Sequence, residues 1–96
     1  MTESTYLDEA TRKDMLQRLK RIEGQSRGIQ HMIEEGRDCQ DILNQIAAMR
    51  AATHSLGIYL LEEFAQLCLH ASVESDAAET EKKIAQMVSM ISKLTR

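Results

Sequence analysis

The chain has 96 residues, 43% of them apolar and only 3% aromatic, with no proline and a formal net charge of −3. That length fits one domain, 1–96, with too few aromatics for a large core of its own. No apolar run approaches the roughly 18 residues of a membrane span and no secretory leader is evident, so the expectation is a cytoplasmic protein without a membrane partner, its two cysteines reduced at rest.

The charge is unevenly spread. Arg12, Lys13, Arg18, Lys20, Arg21 and Arg27, half of the twelve cationic residues, fall within sixteen positions that hold only Asp14 and Glu23 as acids. A locally basic stretch can favour DNA in a chain that is acidic as a whole. The alternative is a solvated helix face.

In chain order, the first helix is predicted from Leu7 or Asp8 to near Glu35, with Ser4 or Thr5 available as a cap and Asp8 and Glu9 in the first turn, where carboxylates suit the helix dipole. Met15, Leu19, Ile22, Ile29, Met32 and Ile33 recur at helical spacing and define a core face. Lys13, Lys20 and Arg27 follow one another at intervals of seven and form a stripe away from that face, with Arg21 to one side and Arg18 at the core's edge. Gly24 and Gly28 each cost the helix about 1 kcal/mol relative to alanine. They mark either a close approach by another backbone or a phosphate, or simple tolerance.

Gly36 can close the first helix in the left-handed conformation, and Asp38 can cap a second that begins at Cys39. So short a connection predicts an antiparallel hairpin. From Cys39 to Cys68 the chain reads as one unbroken helix, with Ile42, Ile46, Met49, Leu56 and Leu60 at 3–4 spacing and small Ala47, Ala48, Ala51 and Ala52 that admit another helix closely. After His70, ASVESDAAE reads as a polar link in which Asp76 and Glu79 resemble a capping pair. A third helix then carries Ile84, Met87, Val88, Ile91 and Leu94 on one stripe. The expected fold is all-α: a three-helix subunit with a long central helix.

At about 100° and 1.5 Å per residue, the 29 steps between Cys39 and Cys68 place both thiols on one face, about 43 Å apart. They cannot meet within one chain. An identical helix packed antiparallel, with its dyad near Thr53 and His54, sets each Cys39 opposite Cys68 of the partner subunit and creates two equivalent two-thiol sites. Cys39, at a helix N-terminus whose unpaired N–H groups favour a thiolate, is the candidate attacking sulfur, although Asp38 and Asp41 act the other way; Cys68 is the candidate resolving sulfur. Inert burial of both is the plainer reading. No metal ligand set and no cofactor emerge. Phe64, one turn before Cys68, cannot coordinate, His70 points some 200° away, and His54 lies about 21 Å along the axis. His31 is a weak candidate that would have to fold toward Cys39. No nucleophile–base pair, phosphate loop or carboxylate dyad suggests an enzyme.

The run RLKRIEGQSRGIQHMIEEGRDCQDILNQIAAMRAA, Arg18 to Ala52, resembles the copper-sensitive operon repressor (CsoR) family, which includes copper, nickel/cobalt, formaldehyde and persulfide sensors. RIEGQ, EEGRDC and QIAA carry the likeness. It implies an all-α subunit, an antiparallel dimer that doubles into a tetramer, and repression from double-stranded operator DNA that ends when an inducer binds. Cys39 and Cys68 match the two cysteines of the copper and persulfide sensors, whereas Phe64 falls where the metal-binding and formaldehyde-sensing members keep a histidine. Lys83 falls near a glutamate that supports the metal ligands of the copper sensors. Arg18 matches a position used for DNA contact. Two thiols without that histidine look most like the CstR-type sensors. The expectation is therefore a repressor released when persulfides or polysulfides crosslink Cys39 to Cys68 of the partner subunit. A Cu(I)-responsive repressor using the same thiols is the alternative, and a helical oligomerisation module without sensing is a third possibility from another class.

Overall fold

The structure, a computed structural model, describes residues 6–74 and 76–95, apart from the side chains at 68 and 70–74. Three helices account for nearly all of it: α1 (Glu9–Glu34), α2 (Cys39–Glu74) and α3 (Ala77–Thr95), with no strand among the described residues. The protein is thus all-α with a long central helix. Ser4 and Thr5, the expected caps of α1, lie outside the described residues.

The helix ends follow local chemistry. Gly36 takes φ of 71°, and the N–H groups of Gly36 and Arg37 bond back to the carbonyls of Ile33 and Met32 at 3.1 and 3.0 Å. Those two bonds form a Schellman closure, which satisfies carbonyls that the end of α1 would otherwise leave unpaired. Asp38 then starts α2, its Oδ2 accepting the N–H of Gln40 at 3.1 Å and its carbonyl accepting the N–H of Ile42. Asp76 does the same for α3, with Oδ1 accepting the N–H of Glu79 at 2.8 Å.

One boundary differs from expectation. α2 continues to Glu74, past the polar link expected after His70. Polarity is not a stop signal: Ala71–Glu74 contains neither glycine nor proline, and the first strong local instruction to restart is the cap at Asp76.

The chain divides into two compact units. The first, Glu9–Leu56, holds α1 and the first part of α2. Arg18, Arg21, Ile22 and Gln25 share a cleft there with Ala52 and Ser55. These groups lie at similar distances before and after the turn, as an antiparallel hairpin requires. Ile29 and Leu56 are buried, but Leu19 and Ile33, expected on the core face of α1, are 46% and 59% exposed. One neighbouring helix covers only part of so wide an apolar stripe.

The second unit is built on α2 from Gly57 onward and on α3. Leu94 reaches into the space above Gly57: its Cδ2 lies 2.5 Å from where a β-carbon at that position would sit. Farther along α2, Phe64 is buried at 8% exposure, and with Leu60 it shares a cleft with Gln86, Ser89, Met90 and Lys93 of α3. The pairing of Gly57 with Leu94 and of Phe64 with earlier residues of α3 shows that these two segments also run antiparallel.

Candidate functional site

Cys39 is the first residue of α2, with a free and exposed thiol. Its neighbours are committed elsewhere: Asp38 caps the helix, and Asp41 pairs with Arg37 at 3.6 Å. Cys68 lies on the same continuous helix, and its side chain is outside the described residues. Phe64, one turn earlier, presents a buried phenyl ring, which can donate to no metal ion. His31 does not serve Cys39 either. Its imidazole stands beside the carboxylates of Glu35 (Nε2 to Oε2, 3.3 Å) and Glu34 (Nδ1 to Oε1, 3.8 Å), because both acids fall within one turn of it on α1 or at its end. Among the described residues no group of three or more His, Cys, Asp or Glu side chains gathers as a metal site.

A shallow groove of about 530 Å³ runs along α2 beside Leu43, Ile46, Ala47, Arg50, Ala51 and His54. Leu43 is 63% exposed. Alanines at 47 and 51 keep the floor low, so a second helix could pack against it closely. This is the face on which the sequence places the dyad of an antiparallel pair.

On α1, Lys13, Lys20, Arg21 and Arg27 are all exposed. Arg27 faces Glu23 at 3.7 Å, and Arg18 donates from Nε to Asp14 Oδ1 at 3.3 Å. The two acids of the basic stretch therefore each hold an arginine one turn away, while the stripe of Lys13, Lys20 and Arg27 stays on the solvent side. Among the described residues no heavy atom outside the local helix backbone lies within 4 Å of a β-carbon added at Gly24 or Gly28, so no packing contact there requires glycine. Two residues that sequence reasoning passed over, Gln25 and Ser55, join Arg18 and Arg21 in the cleft between α1 and α2. They are thirty positions apart, and neither belongs to the charge pattern that drew attention to the arginines.

Together these features define a small all-α binding protein with a cationic helix face and an exposed thiol. The family model described as "Metal-sensitive transcriptional repressor" matches residues 11–93, and the chain belongs to that family. It is a transcriptional repressor, not an enzyme. It is 43% identical over 79 residues to the copper-sensing transcriptional repressor CsoR of Bacillus subtilis, a match covering 82% of this chain and 76% of that protein. The copper-sensing transcriptional repressor RicR of Mycobacterium tuberculosis is 39% identical over 79 residues, with 82% of each chain covered. The crystal structure of the copper-sensing repressor CsoR with Cu(I) from Geobacillus thermodenitrificans NG80-2 superposes with a TM-score of 0.83 at 34% identity, covering 95% of this chain and 93% of that one. The family settles the choice between a repressor and an oligomerisation module. The relatives named here are described as copper-sensing. No helix among the described residues is long and apolar enough to cross a membrane.

Proposed function

We propose that this repressor acts in the cytoplasm as a dimer or tetramer, holds operator DNA through the basic face of α1, and lets go when Cu(I) engages Cys39 together with Cys68 of the partner subunit. The observation that carries this reading is an exposed thiol on the first residue of α2, in a chain whose matched relatives are copper sensors. Soft thiolates select Cu(I) over harder divalent ions. The donor set fits in part: two sulfurs are available across a subunit pair, and Phe64 adds none. The site would therefore bind Cu(I) less tightly than one with a third ligand. Cys39 would hold the ion from the start of one helix and Cys68 from the far part of another, so occupancy ties together helix ends belonging to different chains. The basic helices follow those ends, and a small closure there moves the DNA-binding face.

Phe64 also supports a second reading, in which the inducer is a persulfide or polysulfide. Here the Cys39 thiolate attacks a sulfur of the polysulfide, one S–S bond breaks, and a shorter polysulfide anion leaves. Cys68 of the partner subunit, as thiolate, then attacks the modified Cys39 and expels hydrosulfide or a shorter hydropolysulfide. The polysulfide is the oxidant, its sulfane sulfur being reduced to sulfide. Such a site needs two thiols and no nitrogen donor.

The test is an anaerobic mobility-shift titration on a duplex spanning the DNA immediately upstream of the coding sequence. Release by about one Cu(I) per thiol pair, lost in Cys39→Ser, is the expected result. Release by polysulfide alone, with a covalent dimer in the non-reducing gel, replaces copper with sulfur as the inducer. Release by either agent that survives Cys39→Ser overturns both.

A further inference from the structure

We infer that Lys83 of α3 supplies the countercharge for the sulfur site at position 68 of α2. The inference rests on the copper reading of the thiol pair and adds to it the residue that balances the bound ion. It is carried by the register of two helix segments that belong to one compact unit, α2 from Gly57 onward and α3. Leu94 packs over Gly57, which fixes one level at which the helices meet. From Gly57 to position 68 is eleven residues along α2, and from Leu94 back to Lys83 is also eleven along α3. Eleven residues make about three turns and rise about 16.5 Å, so on antiparallel helices both steps end at one level and on the facing sides they left. Phe64 and Met87 mark the path, each seven residues from its starting point, the first buried and the second half-buried.

A second observation is independent of that count. Thr80, Lys83, Met87 and Leu94 are partly covered, and the other residues of α3 are exposed. Intervals of three, four and seven make these four one stripe, the side of α3 turned to α2. Lys83 is the charged member of the stripe; Glu79, Glu81, Lys82 and Lys93 are exposed. A cation on a covered helix face gives up part of its hydration, and an anion opposite offsets that cost.

The bound state supplies the anion. When two thiols take up one Cu(I), two protons leave to solvent, no electron is transferred, and the bis-thiolate carries a single net negative charge. Phe64 changes that charge in neither direction. Neighbouring helix axes lie about 8–10 Å apart, and a countercharge at about that separation in a half-exposed setting strengthens binding about five- to tenfold.

The experiment compares the parent with Lys83→Met, Lys83→Glu, Lys83→Arg and Lys82→Met, after thermal melts and light scattering confirm folding and assembly. Cu(I) affinity is read by anaerobic chelator competition in potassium sulfate, since chloride itself ligates Cu(I). Lys83→Met should bind about five- to tenfold more weakly and Lys83→Glu more weakly again, while Lys83→Arg and Lys82→Met should stay within about twofold of the parent. The gap between parent and Lys83→Met should narrow with salt, because the screening length falls from about 10 Å at 0.1 M to about 3 Å at 1 M ionic strength. A second readout needs no metal: in a Cys39→Ser background, the rate of alkylation at Cys68 by anionic iodoacetate is divided by that by neutral iodoacetamide. Both reagents attack the same thiolate, so the ratio reports the charge around it. The ratio should fall in Lys83→Met, fall further in Lys83→Glu and hold in Lys83→Arg. If the parent binds Cu(I) and the Met and Glu variants bind as tightly, the countercharge is refuted while the copper reading stands. Weaker binding with an unchanged alkylation ratio makes Lys83 a packing residue and also overturns the assignment. A parent that binds no Cu(I) overturns the copper reading, and the inference with it.

Discussion

Gly57→Ala tests the seating of α3 with one methyl group. In an open helix interior that change is favourable by about 1 kcal/mol, because glycine is the costlier residue there. Gly57 is not in the open: its β-carbon would lie 2.5 Å from Leu94 Cδ2, with Cδ1 and Cγ at 3.5 and 3.6 Å. Overfilling a packed contact costs about 1–3 kcal/mol, and here the opposing atoms are the end of a leucine that can rotate away, which favours the lower part of that range. The clash therefore roughly cancels the helix-propensity gain, and the expected net effect is near zero, which leaves Tm roughly 4–8 °C below that of a variant keeping the full gain of about 1 kcal/mol. Melts should be run at one fixed protomer concentration, since subunit association also shifts Tm. Gly24→Ala, with no heavy atom within 4 Å, is the internal reference and should gain about the 1 kcal/mol that Gly57→Ala forfeits. Adding Leu94→Ala to Gly57→Ala should relieve the clash and give a coupling of about 0.5–3 kcal/mol in a double-mutant cycle. If Gly57→Ala stabilises the protein as much as Gly24→Ala does, α3 does not seat Leu94 on α2.

Three further outcomes follow from the same geometry. Phe64→His should supply the missing nitrogen donor and raise Cu(I) affinity in a chelator competition; a parent that already binds as tightly as the variant shows that its site is complete without one. Lys13→Ala, Lys20→Ala and Arg27→Ala should each weaken duplex binding and lower the slope of log K against log salt by about 0.9, and three unchanged slopes would mean that DNA meets another face. Any covalent link between Cys39 and Cys68 should appear in intact-protein mass spectrometry at the mass of two chains and vanish in Cys39→Ser. The 29 helical steps of α2 from Cys39 to Cys68 rise about 43 Å, whereas disulfide-linked Cα atoms lie within about 7 Å of each other, so a link at the mass of one chain would refute the shared site.

Much of the fold could be read from single residues whose instructions are local. Gly36, Asp38 and Asp76 each set a helix end through bonds to groups within a few positions, and all three do so in the structure. The end of α2 was less legible because the segment after His70 is polar without being a helix breaker. Side-chain placement was harder wherever it depended on competing neighbours. His31 has a carboxylate three and another four residues away, and those short-range partners hold it beside the acids rather than near Cys39. The cleft at Gln25 and Ser55 depends on the register of one helix against another, which no periodicity within either helix encodes. Phe64 was legible as a residue unable to coordinate, but its burial beneath α3 required the packed structure.

The proposed function puts sensing and assembly on one surface, and side-chain exposure supports that placement. Only Ile29, Leu56 and Phe64 among the described apolar side chains are buried, while Leu19, Ile33, Leu43 and Ile46 remain open. Fully burying a side chain of that size contributes about 1.5–3 kcal/mol, so covering Leu43 and Ile46 in each of two chains offers a driving force of several kcal/mol before the cost of association. The groove along Leu43, Ile46, Ala47 and Ala51 begins one turn after Cys39, so a helix that fills it passes close to the thiol. An antiparallel copy is the occupant that brings its own later part of α2, and with it position 68, to that end. In the proposed reading the inducer acts on an interface already formed, and its differential affinity shifts helix ends rather than folding the chain.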